Sequence, residues 1–190
     1  MPVTSSKFIA TSLFLAATIL CGVTTAKADT VYNYVGNDFT GGLGTLYTTA
    51  DSVDISITLS APLPFTSSLQ AYTPTAFSFT DGVQTITNMT PGIGITDFFF
   101  ATSGGVIDEW IVAAKETGDV DLIESCGFAN CSPATFDSGQ TVIGEFGVNT
   151  ADPGTWTATT STSPVPEPSC LTLLGTGILG LAGAGRRKFL

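Results

Sequence analysis

Carboxylates are the side chains of this chain best suited to acid–base chemistry, because the sequence contains no histidine. Without imidazole, Ser-His-Asp and Cys-His catalysis are excluded, and a Ser-Lys dyad would depend on Lys115, which we interpret as a surface charge. Two carboxylates can hydrolyse a glycoside when they meet in space, but the adjacent Asp108 and Glu109 point to opposite faces of a strand. The sequence therefore predicts no catalytic residues and a non-enzymatic protein, with a carboxylate-based polysaccharide hydrolase as an alternative.

Three further acids are weak candidates for calcium ligands. Asp119 and Asp121 fall on one face of an extended segment, with Glu124 nearby, and hard oxygen ligands of this kind suit calcium. The D-x-[DN]-x-[DN]-G loop that would make the assignment strong is missing. We therefore favour a solvated acidic strand and expect no metal site and no cofactor.

Charge is distributed very unevenly along the 190 residues. Residues 29–168 hold all sixteen acids and one base, Lys115, whereas the other five bases lie in the first 28 and the last five residues. Nucleic-acid affinity depends largely on Lys and Arg contacts with phosphate. The acidic centre therefore excludes a nucleic-acid partner and favours cations or basic surfaces.

The N-terminus has the order of a secretory signal peptide. Lys7 precedes an apolar run over residues 8–23, and the small residues Ala26 and Ala28 follow. This order predicts a signal peptide over residues 1–28, cut by signal peptidase after Ala28. An uncleaved anchor helix and a lipoprotein modified at Cys21 are the alternatives; the residues before Cys21 lack the expected small side chain.

The C-terminus predicts a short membrane helix. Residues 171–184 are largely apolar and would form a helix about 20 Å long, which barely spans a hydrocarbon core of about 30 Å. Arg186, Arg187 and Lys188 follow it. Positive charges stay on the cytoplasmic side, so both ends predict that the acidic centre is exported.

Residues 165–190 resemble the PEP-CTERM sorting signal of bacterial exported proteins, whose tail is also catalogued as an ice-binding protein C-terminal domain. Pro166-Glu167-Pro168, the apolar helix and the basic cluster occur in the family's order. The resemblance implies an exosortase as partner, which would cut near the motif and release or transfer the exported part. A plain single-pass anchor is the alternative. Cys170, in the second position after the motif, could be lipidated or have no specific role, and we favour the second interpretation.

Between the two ends, residues 29–157 predict an all-β fold. Short segments rich in Val, Ile, Thr, Phe and Tyr alternate with Gly, Pro, Asn and Asp, and Val53, Ile55, Ile57 and Leu59 mark one face of a strand. Asp81-Gly82 predicts a two-residue type I′ hairpin link, and Ser103-Gly104-Gly105 a similar one. We expect an antiparallel β-sandwich of about eight to ten strands, followed by a Ser/Thr/Pro linker over residues 158–164.

Aromatic and cysteine residues complete the expectations for this sandwich. Period-two aromatics are core residues more often than a carbohydrate platform; this group comprises Phe77, Phe79, Phe98, Phe100, Trp110 and Trp156. Cys126 and Cys131, spaced C-x4-C, predict a disulfide in an oxidising compartment. Zinc would need two more soft ligands.

The predicted function rests on the two export and sorting signals, because the sequence predicts no catalytic residues. The sequence predicts a non-enzymatic protein of the cell surface or the extracellular biofilm matrix, anchored transiently in the membrane and processed by an exosortase. A carbohydrate-binding module of the exopolysaccharide matrix is the main alternative. Threonine pairs such as Thr85 and Thr87 have no regular repeat along the chain, so ice binding is not predicted.

Overall fold

The computed structural model describes residues 28–160, apart from residue 43, residues 119–120 and the side chain of Ile95. These residues form an all-β fold. The strands in chain order are β1 (Thr30–Val35), β2 (Asp54–Leu59), β3 (Ser67–Ala71), β4 (Ala76–Thr80), β5 (Thr85–Thr87), β6 (Ile93–Ser103), β7 (Val106–Glu116), β8 (Leu122–Gly127), β9 (Thr135–Gln140), β10 (Phe146–Thr150) and β11 (Thr155–Thr160).

The strands form two antiparallel sheets. Sheet A has the order β11-β1-β2-β4-β5, and sheet B has the order β10-β9-β8-β7-β6-β3. The long strand β7 lies against both β5 and β11, which are the opposite edges of sheet A. Sheet B strands therefore cross those of sheet A rather than running along them, as in sandwiches with steeply crossed sheets.

Alternation of apolar and polar residues sets the core between the sheets. Val53, Ile55, Ile57 and Leu59 are all buried, as their spacing predicts, while Asp54, Ser56 and Thr58 face outward. Opposite them lie Phe98 and Phe100 of β6 and Val112 of β7. The predicted sandwich is thus confirmed, with sheet A built on an apolar inner face and a polar outer face.

Two of the eleven strands are not evident from the sequence. The segments of β3 (SSLQA) and β9 (TFDSGQ) are polar, and their β-propensity is low. Tertiary pairing decides their conformation: β9 lies between β8 and β10, and β3 pairs with β6. Strand β11 also extends to Thr160, three residues into the segment expected to be a linker.

The two glycine turns differ in geometry, although the sequence predicts a similar link at both. In the β4–β5 turn, Gly82 has a positive φ (88°) and Asp81 does not, and the Asp81 N–H donates to the Gln84 carbonyl (3.3 Å). The central residues of the turn are therefore Gly82 and Val83, and the prediction of a type I′ link at Asp81-Gly82 is wrong. Gly104 (φ 62°) and Gly105 (φ 84°) are both positive and join β6 to β7. The type I′ pattern of torsions therefore occurs at the second turn.

The expected signal peptide and C-terminal helix lie outside the described residues. Over residues 28–160 the structure contains no helix with the length and hydropathy needed to span a membrane. Ala28, the last residue of the expected signal peptide, is half-buried and is followed by the exposed Asp29 and the start of β1.

Candidate functional site

A buried polar cluster joins the two sheets at Asp137. The Tyr34 hydroxyl on β1 donates to the Asp137 carboxylate on β9, at 2.9 Å from each oxygen, and accepts a hydrogen bond from Gly154 N (2.7 Å). Ser125 on β8 also donates to Asp137 and accepts from Trp110 Nε1 (2.8 Å). A buried polar side chain is tolerated when its partners are supplied in this way, so the cluster fixes how the sheets face each other.

Aromatic rings surround this cluster. The Tyr34 ring centroid lies 5.6 Å from that of Trp110 and 5.0 Å from that of Trp156. Trp110 is buried, and Trp156 is half-buried against the core. The interpretation of the aromatics as core residues is therefore confirmed for this pair, and neither ring offers a flat exposed platform to a sugar.

Burial changes the acidity of both partners in the cluster. Desolvation raises the pKa of Asp137 to about 6, hydrogen bonds from Ser125 and Tyr34 oppose the rise, and Asp152 and Asp54 add to it. Desolvation also raises the pKa of Tyr34, with the Asp137 charge adding to the effect. Because Asp137 is 1% exposed, its carboxylate is out of reach of a substrate.

A second buried carboxylate, Asp81, organises the β4–β5 turn. It accepts hydrogen bonds from the Tyr47 hydroxyl (2.6 Å) and from the backbone N–H groups of Val83 (3.0 Å) and Gln84 (2.8 Å). The Gln84 side chain donates to the Gln140 carbonyl on β9 (2.8 Å). This turn is therefore a second polar connection between the sheets.

The outward side chains of sheet A form a surface that we call the hydroxyl face. Strand register aligns Thr157, Asn33, Ser56, Ser78 and Thr87 in one row across all five strands. Nine of its fourteen residues are Ser or Thr, and the complete set is Val31, Asn33, Val35, Asp54, Ser56, Thr58, Ala76, Ser78, Thr80, Thr85, Thr87, Thr155, Thr157 and Thr159.

Sheet geometry turns these scattered residues into an array. Neighbouring strands lie about 4.8 Å apart, and alternate residues on a strand about 6.6 Å apart. The sequence could not reveal the array because its members lie between residues 31 and 159 with no common period. The irregular threonine spacing in the chain thus becomes regular only through strand pairing.

A shallow depression of about 330 Å³ lies in the hydroxyl face. Asn33, Ser56, Ser78 and Thr80 contribute polar groups to it, and Asp54 contributes the one carboxylate among its lining residues. Asp54 Oδ1 is buried without a hydrogen-bond partner among the described residues, and burial raises the pKa of this carboxyl group. The depression can accept hydrogen bonds and a cation, but it presents one carboxylate rather than two.

The weak calcium candidates do not assemble in the described part of the chain. Asp119 lies outside the described residues, Asp121 accepts a hydrogen bond from Val142 N (2.5 Å), and Glu124 accepts one from Ser138 (3.1 Å). No group of three His, Cys, Asp or Glu side chains that could hold a metal occurs among the described residues. Each described candidate thus has a local partner of its own.

Cys126 and Cys131 form a disulfide at the end of β8. Cys126 is opposite Ile111 on β7 and Phe136 on β9 in the register of sheet B. The bond closes the short connection between β8 and β9, and the sequence-based prediction of a disulfide here is confirmed.

Comparison with protein-family models gives a match over residues 164–188, to the PEP-CTERM protein-sorting motif. The chain carries a PEP-CTERM sorting signal. The match includes Pro166, Glu167 and Pro168 and the basic residues Arg186, Arg187 and Lys188, all of which lie outside the described residues, as does Ala26. No curated protein and no solved structure matches the chain.

The PEP-CTERM motif marks the protein as an exported substrate of the exosortase sorting system. It begins at residue 164, four residues after the last strand ends at Thr160. The sorting signal and the sandwich are therefore neighbours in the sequence, and the strands that the structure describes all end before the motif begins.

Proposed function

We propose that this chain is a non-enzymatic protein of the cell surface or extracellular matrix, released or transferred after an exosortase cuts near Pro166-Glu167-Pro168. The observation that supports it most is the PEP-CTERM match beginning four residues beyond β11. A cut in the motif leaves every described strand intact. Proline disfavours helix and favours extended backbone, and we therefore expect the motif to suit a protease, which binds extended segments.

Intact-mass spectrometry of the protein recovered from its native host tests this proposal. We expect a species that starts at Asp29 and ends near Pro168. A double substitution, Pro166→Ala with Glu167→Ala, should retain the full tail, whereas the linker control Thr162→Ala should be processed normally. A wild-type mass that still includes Leu190 would contradict processing and leave a plain membrane anchor.

The acidic sandwich suits a role among matrix polymers. Residues 29–160 carry fifteen carboxylates against the single ammonium of Lys115. This excess keeps the protein soluble and allows divalent cations to bridge it to anionic polysaccharide. The exopolysaccharide is thus the partner that we propose outside the cell.

Direct binding of polysaccharide is the second candidate function, and the depression in the hydroxyl face favours it. Its polar groups could replace the water that surrounds sugar hydroxyls. Replacing Ser56 and Ser78 by Leu should fill the depression and weaken retention on matrix polysaccharide, whereas Thr49→Leu on an exposed loop should not. Equal retention of both variants would exclude the hydroxyl face as the polysaccharide-binding site.

A hydrolase reading has less support. Glycoside hydrolysis needs two carboxyl groups within about 5 to 10 Å of each other at one accessible site. Among the residues that line the depression, Asp54 is the one with a carboxyl group. Turnover on a panel of polysaccharides that disappears in Asp54→Asn would overturn the non-enzymatic proposal.

A further inference from the structure

Sheet A ends in an edge strand that is open to solvent. β11 pairs with β1 on one side, and no other described strand lies against its second side. Every residue of β11 except Trp156 is exposed. The backbone N–H and C=O groups on this outer side are a template for another strand.

The other three sheet edges are protected in ways that natural proteins use against such pairing. β5, at the opposite edge of sheet A, has only three residues. β10 is covered by residues 40–41, whose N–H groups both donate to the Val148 carbonyl. β3 has an irregular register between Ser67 and Gln70.

None of these protections occurs on β11. Its sequence TWTATT contains no charge, proline or glycine, and its threonines favour extended structure. Its neighbour β1 (TVYNYV) is also uncharged. On a body with fifteen carboxylates, this edge is a region where two copies can meet with little direct repulsion.

We propose that β11 pairs antiparallel with β11 of a second copy, joining two five-stranded sheets into one of ten strands. A two-fold axis perpendicular to the sheet through Thr157 keeps both hydroxyl faces on the same side. Interfaces of this isologous kind are the commonest in homo-oligomers. The two faces then form one continuous array.

Side-chain complementarity supports a second copy as the occupant. In the register centred on Thr157, Thr155 lies opposite Thr159 of the other copy on the outer face. On the inner face the large Trp156 lies opposite the small Ala158. Threonine pairs are favourable across antiparallel strands, and the small Ala158 leaves room for the Trp156 ring opposite it.

Disulfide trapping in the full chain tests the pairing. In a background with C21S and C170S, Thr157→Cys places two thiols at the axis, and Ala158→Cys tests the register shifted by one residue. Thr85→Cys is the matched control, because Thr85 is exposed on the same face but on the opposite edge. Each chain is exported, oxidised mildly and separated without reductant.

We expect a cross-linked dimer from position 157 or 158 at least about tenfold more abundant than from position 85, because pairing replaces a micromolar thiol concentration by an effective millimolar one. Equal yields at all three positions would overturn the proposal. So would cross-linking of position 157 to a different protein.

A second pair of variants avoids cysteine chemistry. Thr157→Lys places like charges opposite each other at the axis, whereas Thr85→Lys adds the same charge to the other edge. In native mass spectrometry of the detergent-solubilised chain, the dimer should be lost in Thr157→Lys and kept in Thr85→Lys. A dimer in both variants, or a monomeric wild type, would contradict β11 pairing.

Discussion

At the scale of single residues, the sandwich depends on a carboxylate placed where charge is unfavourable. Asp137 is buried between the sheets and retains partners in Tyr34 and Ser125. Neutral Asp137 would fit this environment better than the ionised form, because desolvation penalises the charge. Burial of the ionised carboxylate therefore lowers the free energy of unfolding, while its hydrogen bonds orient the two sheets. The size of this destabilisation depends on pH.

The pH dependence of stability should report this carboxylate. Its pKa rises from 3.8 to about 6 on folding, so the folded state binds the proton more tightly, and the free energy of unfolding should fall as pH rises from about 4 to 7. A shift of about two units corresponds to about 3 kcal/mol as an upper value. Denaturant unfolding of the wild type and Asp137→Asn across this range measures the difference.

In Asp137→Asn, the part of the slope that this group contributes should disappear. Asp54 and Glu124, whose pKa values burial also raises, continue to contribute in the same direction. The exposed Asp108→Asn is the matched control and should keep the wild-type slope. Identical slopes for wild type and Asp137→Asn would remove Asp137 as the cause.

At the scale of elements, two turns show what a local pattern can and cannot specify. Gly104-Gly105 forms a link with both φ angles positive because the β6–β7 register leaves two residues between Ser103 and Val106. At the β4–β5 turn, the Asp81 side chain accepts hydrogen bonds from the N–H groups of Val83 and Gln84. The central residues of this turn are 82 and 83 rather than the predicted 81 and 82. A buried acceptor thus overrides the dipeptide preference.

The β6–β7 turn provides a backbone test. A Cβ on Gly104 would meet no atom within 4 Å, so a substitution there is opposed by its positive φ alone. Gly104→Val should lower the free energy of unfolding by about 1 to 2 kcal/mol, and Gly104→Asn by clearly less, since Asn tolerates this region. Equal losses in thermal or denaturant unfolding would indicate a contact rather than backbone strain.

Sequence patterns predicted the strands in which apolar and polar residues alternate or aromatic residues recur. The alternation from Val53 to Leu59 and the aromatic strands β4 and β6 specify an inner face by themselves. β9 (TFDSGQ) has no alternation of apolar and polar residues. One of its inward positions is Gly139, where the space of a side chain is taken by Asp81 from the β4–β5 turn. The hydroxyl face likewise depends on register between residues far apart in the chain, such as Asn33 with Thr157.

At the scale of the whole molecule, the acidic excess acts on every copy of the sandwich. Fifteen carboxylates, offset by the one ammonium of Lys115, repel one another within a small volume, and net charge of this size destabilises the compact state. Salt screens the repulsion, since the Debye length falls from about 30 Å at 0.01 M to about 8 Å at 0.15 M.

The melting temperature should therefore rise with ionic strength. We expect an increase of a few degrees between 0.01 M and 0.15 M sodium chloride, because about 1 kcal/mol shifts the midpoint of a domain this size by several degrees. Thermal unfolding followed by circular dichroism measures it, with choline chloride as a check on sodium-specific binding. A constant or falling midpoint would mean that the carboxylates are already compensated within the fold.

The position of β1 between β2 and β11 has a consequence for the order of events during export. The first strand of the sandwich pairs with the last one, Thr30 opposite Thr160, so sheet A stays incomplete until nearly all of the translocating chain has emerged. Only five residues then separate Thr160 from Pro166. Closure of the sheet and arrival of the cleavage segment thus nearly coincide, and a chain truncated before β11 would leave β1 without one of its two partner strands.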